Sequence, residues 1–274
     1  MLALADAERD AFAAELLAAY DAAALMPLIT ARRAGFTMAD AAAVSDVARS
    51  RRLARGEREL GYKIGFTNRS IWPLYGVHEP IWGPVWDTTT QLLDGDSVTT
   101  ALAGLSQPRL EPEIAFGFAS TPRAGMHEDE LVGCLAWVAH SFEIVHTHFD
   151  AWKFQAPDCF ADFGLHGRLF IGPRVPVGSF AKLGAELAAL QVELCCGDRV
   201  VDRGVASIVL DGPLNALRLW VDAMAAQANP WPIRPGDVVT TGTITDAQPL
   251  APGQRWHTRL SDPRLTPLTL TVAA

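Results

Sequence analysis

Apolar residues recur at helical spacing from the start of the chain. Phe12, Leu16, Leu17, Tyr20, Ala24 and Leu25 mark one face of a helix over residues 5–27, with acids in its first turn and Pro27 closing the pattern. Thr37 is placed to cap a second helix over 38–55, whose apolar positions include Met38, Ala42, Val44 and Val47. Arg49, Arg51, Arg52 and Arg55 crowd its end, where they complement the helix dipole. After Gly56 the period changes. Residues 62–66 alternate as a strand. Residues 72–86, with Trp72, Trp82 and Trp86 among prolines and glycines, predict a loop or lid. Residues 127–140 read as helical and 142–145 as a strand leaving that helix. Strands follow over 168–174 and 189–196, and Asp198-Arg199 offers a turn. Residues 212–227 predict an amphipathic helix with Leu214, Leu217, Trp220, Val221 and Met224 on one side; 238–243 and 267–272 close the chain as strands.

Two helices therefore precede a mostly β body. The pattern divides the chain into an N-terminal helical region, 1–57, and a β-rich domain, 58–274. Regular βαβ alternation is absent, so the class is α+β and not a doubly wound sheet.

The stretch Leu110-Glu111-Pro112-Glu113-Ile114-Ala115-Phe116 is the most informative. As a strand it points Leu110, Pro112, Ile114 and Phe116 one way and Glu111 and Glu113 the other. Two carboxylates that close resist joint ionisation unless a cation sits between them. Their hard oxygens suit Mg²⁺, Mn²⁺ or Ca²⁺ better than zinc. The plain alternative is a solvated strand face, and Pro112 argues for an edge or irregular strand.

Bulk properties narrow the field. The chain has 274 residues, 49% hydrophobic and 20% charged, with mean hydropathy +0.13, an ordinary globular composition. A net charge of −8 and a pI near 5.3 argue against nucleic acid as a main partner. Cys134, Cys159, Cys195 and Cys196 form neither a disulfide framework nor a zinc motif. Early acids break any signal-peptide pattern, and no apolar run approaches a membrane span, which predicts a cytoplasmic protein. There is no GxGxxG, Walker A or HExxH, and Val205-Ala206-Ser207-Ile208 lacks the glycines of a nucleophile elbow.

Four segments stand in order: Gly61-Tyr62-Lys63-Ile64-Gly65-Phe66-Thr67, Glu111-Pro112-Glu113-Ile114-Ala115-Phe116, Phe142-Glu143-Ile144-Val145 and Gly236-Asp237-Val238-Val239-Thr240-Thr241-Gly242. Together they resemble the 2-keto-4-pentenoate hydratase and 4-oxalocrotonate decarboxylase family, within the fumarylacetoacetate hydrolase superfamily. The resemblance runs from about residue 5 to 272. It implies a mixed β-roll behind a short helical N-terminal region. It implies a divalent ion, Mg²⁺ or Mn²⁺, held by Glu111, Glu113 and Glu143, with Lys63 acting near the substrate and Thr241 and Gly242 bordering it. It implies 2-oxo acids or their enols as substrates, often from aromatic ring cleavage, and a homo-oligomer. Burial offers Lys63 two uses: to bind the substrate anion or, with a lowered pKa, to move a proton.

Departures from the family pattern matter. Trp152-Lys153 and Asp158-Cys159-Phe160-Ala161-Asp162 match a family stretch at Lys153, Asp158 and Asp162, but Cys159 and Phe163 replace the usual Thr and Asn. Lys153 is a candidate for a substrate carboxylate, and Asp162 for the substrate wall. His146 and His148, at i and i+2, are weaker metal candidates, since imidazole suits softer ions. In the aromatic loop Glu79-Pro80-Ile81-Trp82-Gly83 puts Ile81 where the family carries an acid for proton transfer. Glu79, His78 or Asp87 stand nearby to supply it, and Trp72, Trp82 and Trp86 suggest an apolar or aromatic substrate pocket. The reading is a metal-dependent lyase, hydratase ahead of decarboxylase, acting on an unsaturated 2-oxo acid or 2-hydroxydienoate. The alternatives are a C–C hydrolase or oxo-acid tautomerase of the same superfamily, or an inactive accessory homologue.

Overall fold

The computed structural model describes residues 4–274. Helix α1 (Asp6–Ala22) stops before 27 because Ala23 turns left-handed, φ 50°, and its N–H returns to the carbonyls of Ala19 and Tyr20. After the single turn α2 (Ile29–Arg32) comes α3 (Met38–Ala54). Thr37 caps it reciprocally: its hydroxyl accepts from the Asp40 N–H, and the Asp40 carboxylate accepts from the Thr37 N–H.

The body continues with β1 (Glu59–Gly65), α4 (Trp72–Tyr75), β2 (Ile81–Trp86), β3 (Thr90–Leu92), β4 (Ser97–Thr100) and β5 (Arg109–Phe118). Then come α5 (Glu128–Val132), β6 (Leu135–Val145), α6 (Ala156–Ala161), β7 (His166–Ile171), β8 (Val175–Pro176) and α7 (Leu183–Ala188). β9 (Gln191–Cys196), β10 (Arg199–Val205), α8 (Pro213–Ala225), β11 (Val238–Thr240), β12 (Gln248–Pro249), β13 (Arg255–Leu260) and β14 (Thr269–Val272) complete it.

One sheet follows the path β2-β1-β11-β5-β6-β7-β3, with β12 also on β5 and β8 on β6; the other runs β10-β9-β13-β14-β4. Parallel pairs such as β1–β11 sit among antiparallel ones, so the body is a mixed α+β fold. One core joins α1 and α3 to the large sheet through Leu16, Val44, Ile64, Trp82 and Phe160. A second lies between the sheets, around Leu110, Phe142, Ile144, Leu194, Trp256 and Leu270.

Three expectations need correction. Residues 127–140 are not one helix: α5 ends at Val132, and from Leu135 the chain is a strand lying between β5 and β7. A strand covered on both faces reads as a continuous apolar run, which periodicity does not separate from a buried helix. Residues 72–86 are not all loop: Ile81–Trp86 form β2, buried throughout, on the outer edge of β1. That edge tolerates Pro84. Pro112 itself is not at an edge but in the central strand β5. β11 has stopped at Ala115–Thr240 and β12 begins at Leu110–Gln248, so the Pro112 nitrogen faces the gap between them, where its carbonyl accepts from the Ile244 N–H at 3.0 Å.

Candidate metal centre

The register of β5 on β6 sets Glu111 directly opposite Glu143, and Glu113 opposite Ser141. Glu111 and Glu113 leave β5 on one face, so three carboxylates converge: one oxygen from each of Glu111, Glu113 and Glu143 lies within 4.8 Å of the others. Glu113 and Glu143 are fully buried and Glu111 half-buried. Like charges facing across a strand pair destabilise a sheet. Glu113 Oε2 accepts the Gly242 N–H at 3.1 Å, but Oε1 is buried with no hydrogen-bond partner. Gly242 makes that approach with φ 98°, and a Cβ there would strike the Thr67 side chain.

Lys63 reaches the cluster from β1. Its buried Nζ lies 3.1 Å from Glu143 Oε2 and donates to the Gly164 carbonyl at 3.0 Å. His166 Nδ1 stands 2.9 Å from Glu143 Oε1, and Thr89 holds His166 Nε2 at 2.8 Å. His140 Nδ1 donates to the Glu113 carbonyl at 3.0 Å, fixing the backbone beneath the carboxylate. The Gly164 carbonyl is itself aimed by an unusual turn. Phe163, Gly164 and Leu165 are all left-handed, φ 57°, 61° and 65°, with Gly83 packed so closely on the Phe163 carbonyl that a Cβ has no room.

Electrostatics follow from this crowding. Burial, opposed by Lys63 and reinforced by Glu143, pushes Glu111 up to about 7. Burial and the two neighbouring carboxylates carry Glu113 well above the ordinary range. Glu143 goes the other way: Lys63 and His166 overcome its burial and hold it low. Lys63 is raised, because the three carboxylates outweigh the desolvation that would depress it. The lowered lysine pKa that the sequence admits is therefore not what the fold produces. The site fits a hard divalent ion: three carboxylates, an unsatisfied buried oxygen, and no thiolate or imidazole within the cluster.

A cavity of about 170 Å³ meets this cluster at Lys63 and Glu111 and is bounded also by Gly242, Ile81, Cys159, Arg109, Tyr75, Trp152 and Phe154. Ile81 lies on its wall, so the position that departs from the family pattern faces the site. Several candidate residues do not line it. Glu79 and His78 are exposed and outside it, and Asp87 pairs with Arg58 at 2.9 Å. Lys153 is exposed and outside it, although its neighbours Trp152 and Phe154 are on the wall. Trp82 is core, edge-on to Phe160, and Trp86 is covered by Arg52. Asp162 is buried behind the wall, 2.6 Å from His148 Nδ1. His146 accepts the Ser106 N–H there, and burial depresses it to about 3. Thr241 is buried and donates to the Ile114 carbonyl, leaving Gly242 as the one that borders the cavity.

The sequence reading misses His166, His140, Gly164 and Arg109. Arg109 had a signal, since it precedes Glu111 by two on the same strand face. The others had none, because their roles depend on pairings across β5, β6 and β7.

The 2-hydroxyhexa-2,4-dienoate hydratase of Comamonas testosteroni is 30% identical over 206 residues, 75% of this chain and 75% of that protein. The 2-keto-4-pentenoate hydratase 1 of Dechloromonas aromatica is 30% identical over 255 residues, 89% of this chain and 93% of its own. The 4-oxalocrotonate decarboxylase of Pseudomonas sp. strain CF600 is 29% identical over 230 residues. In fold, the 4-oxalocrotonate decarboxylase from Pseudomonas putida G7, complexed with magnesium and adipate, matches 99% of this chain and 100% of its own with a TM-score of 0.89 at 24% identity. The fumarylpyruvate hydrolase from Pseudomonas aeruginosa, in complex with Mn²⁺ and pyruvate, matches 79% of this chain and 89% of its own with a TM-score of 0.56 at 12% identity. No family model matches the chain.

Proposed function

The chain belongs to the 2-keto-4-pentenoate hydratase and 4-oxalocrotonate decarboxylase family of the fumarylacetoacetate hydrolase superfamily, and from that premise we propose that it is a metal-dependent hydro-lyase acting on an unsaturated 2-oxo acid or 2-hydroxydienoate. Such acids arise where aromatic compounds are broken down. The observation that carries the reading is the meeting of three carboxylates from two strands, one with an unsatisfied buried oxygen, beside a small cavity lined by Glu111 and the buried Lys63.

Glu111, Glu113 and Glu143 hold Mg²⁺ or Mn²⁺. When bound, the ion supplies Lewis acidity toward the oxo-acid head and stabilises charge on its enolic oxygen. His166 and the Gly242 N–H fix the carboxylates. Lys63, paired with Glu143 and held by the Gly164 carbonyl, is placed to bind the anionic head. At the wall where Ile81 replaces an acid, burial keeps the Tyr75 phenol and the Cys159 thiol protonated, so both are donors there. The hydrolase alternative needs a base to activate water, and its candidates His78, Glu79 and His146 all lie off the cavity.

The test is direct. With Mg²⁺ the dienol absorbance of a 2-hydroxydienoate decays and the product gains the mass of water. EDTA or Glu113→Ala abolishes the decay. Equal decay in every sample removes the proposal, and release of CO₂ in place of water moves it to the carboxy-lyase branch.

A further inference from the structure

Of the arginines that crowd the end of α3, Arg51 and Arg55 pair with Asp10 and Asp21 on α1, whereas Arg52 is buried, 3% exposed. Arginine is rarely buried unless paired. The partner of Arg52 is Glu57, met through Nε at 3.1 and 3.0 Å and through Nη2 at 2.6 Å. The Thr88 hydroxyl donates to the same carboxylate at 2.8 Å. Nη1 is buried without a hydrogen-bond partner.

The guanidinium also meets three aromatic rings from three parts of the chain. Its central carbon lies 4.7 Å from the ring centroid of Tyr20 on α1, 4.7 Å from that of Trp86 at the end of β2, and 5.7 Å from that of Phe163. Tyr20 and Phe163 meet edge-on as well, with centroids 5.1 Å apart. A cation over aromatic faces is held more firmly when desolvated than when exposed.

Phe163 gives this contact a consequence at the metal centre. It opens the left-handed turn whose Gly164 carbonyl accepts from Lys63 Nζ at 3.0 Å. Three successive left-handed residues persist only where the surroundings enforce them. Gly83 of β2 confines the Phe163 carbonyl, and Arg52 with Tyr20 confines its ring. The turn is thus gripped from β2 at its backbone and from the N-terminal helices at its side chain.

We propose that Arg52 is a positioning residue: it seats the Phe163 ring from the N-terminal helical region and so holds the Gly164 carbonyl that sets Lys63 for the substrate. The proposal rests on the lyase reading, in which Lys63 binds the anionic head.

Calorimetric titration of the Mn²⁺-loaded protein with oxalate tests it in two backgrounds. Arg52→Met, which keeps bulk but neither charge nor flat face, weakens oxalate about five- to tenfold, as a poorly placed charge-assisted bond allows. Its Mn²⁺ affinity stays within about twofold, because the three carboxylates stand on β5 and β6 and not on the turn. In Lys63→Met protein, already weakened for oxalate, the same substitution has no further effect. Arg52→Lys, which keeps a charge for Glu57 but not the planar stack on three rings, gives the same pattern and supplies the measurement should the methionine variant not fold. Unchanged oxalate affinity in a folded Arg52 variant, or equal weakening with and without Lys63, makes Arg52 a packing residue only; that overturns the proposal and leaves the lyase reading standing. Failure of the Mn²⁺-loaded wild type to bind oxalate removes the lyase reading and the proposal with it.

Discussion

Glu113 concentrates the cost of the site in one side chain. It is fully buried, faces two other carboxylates, and has one oxygen with no donor. In metal-free protein, Glu113→Gln puts a neutral amide where burial and the neighbouring carboxylates already favour the neutral acid, and it is expected to melt no lower than wild type, while its Mn²⁺ affinity falls at least about a hundredfold; thermal melts and metal titration read the two effects. Glu111 makes a complementary prediction about pH. Its proton leaves near 4.5 in the unfolded chain but near 7 in the fold. Its stabilising contribution is therefore complete below 4.5 and is lost as pH rises through about 7. Glu143, held low, acts in the opposite sense at more acid pH. Chemical denaturation of EDTA-treated protein should show stability falling between about pH 5 and 8, and Mg²⁺ should flatten the fall as it displaces the protons.

At the scale of elements, the site is a consequence of register. A one-residue slip of β6 on β5 would turn Glu143 to the opposite face and dissolve the cluster. The left-handed turn over Phe163, Gly164 and Leu165 matters in the same way, since its carbonyl holds Lys63. Gly83 is the contact that seats this turn. Gly83→Ala forces the Phe163 carbonyl away, with an expected loss of about 1–3 kcal/mol in stability and a fall in kcat larger than any change in metal affinity. Denaturant midpoints, turnover and Mn²⁺ titration separate the three. Elements were legible where one face is apolar and the other wet, as in α3 and α8. They were illegible where apolar residues run together: residues 135–139 and β2 show no alternation, so their period carried no information.

For the whole molecule, stability and metal are coupled. The N-terminal helices and the large sheet share one core, and that sheet carries the carboxylate cluster on β5 and β6. Mg²⁺ at a hundred times its Kd is expected to stabilise the fold by about 2.7 kcal/mol, a rise of about 5–10 °C in Tm that EDTA reverses. A Tm indifferent to Mg²⁺, Mn²⁺ and Ca²⁺ would mean that the three carboxylates hold no ion. No helix among the described residues is long and apolar enough to cross a membrane.

The sequence by itself determined the class, the Thr37 cap, and the two faces of residues 110–116, because these depend on neighbours a few positions apart. It also named the three carboxylates and Lys63, through motifs in a fixed order. Only the tertiary structure decided which of the remaining candidates face the cavity. Glu79, Lys153, Trp82 and Asp162 sit on suggestive positions in the chain, yet exposure or core packing takes each of them away from it. His166, Gly164 and Arg109 enter for the converse reason. A side chain's chemistry is set by what lies within a few ångströms of it, and in a sheet those neighbours come from strands far apart in sequence.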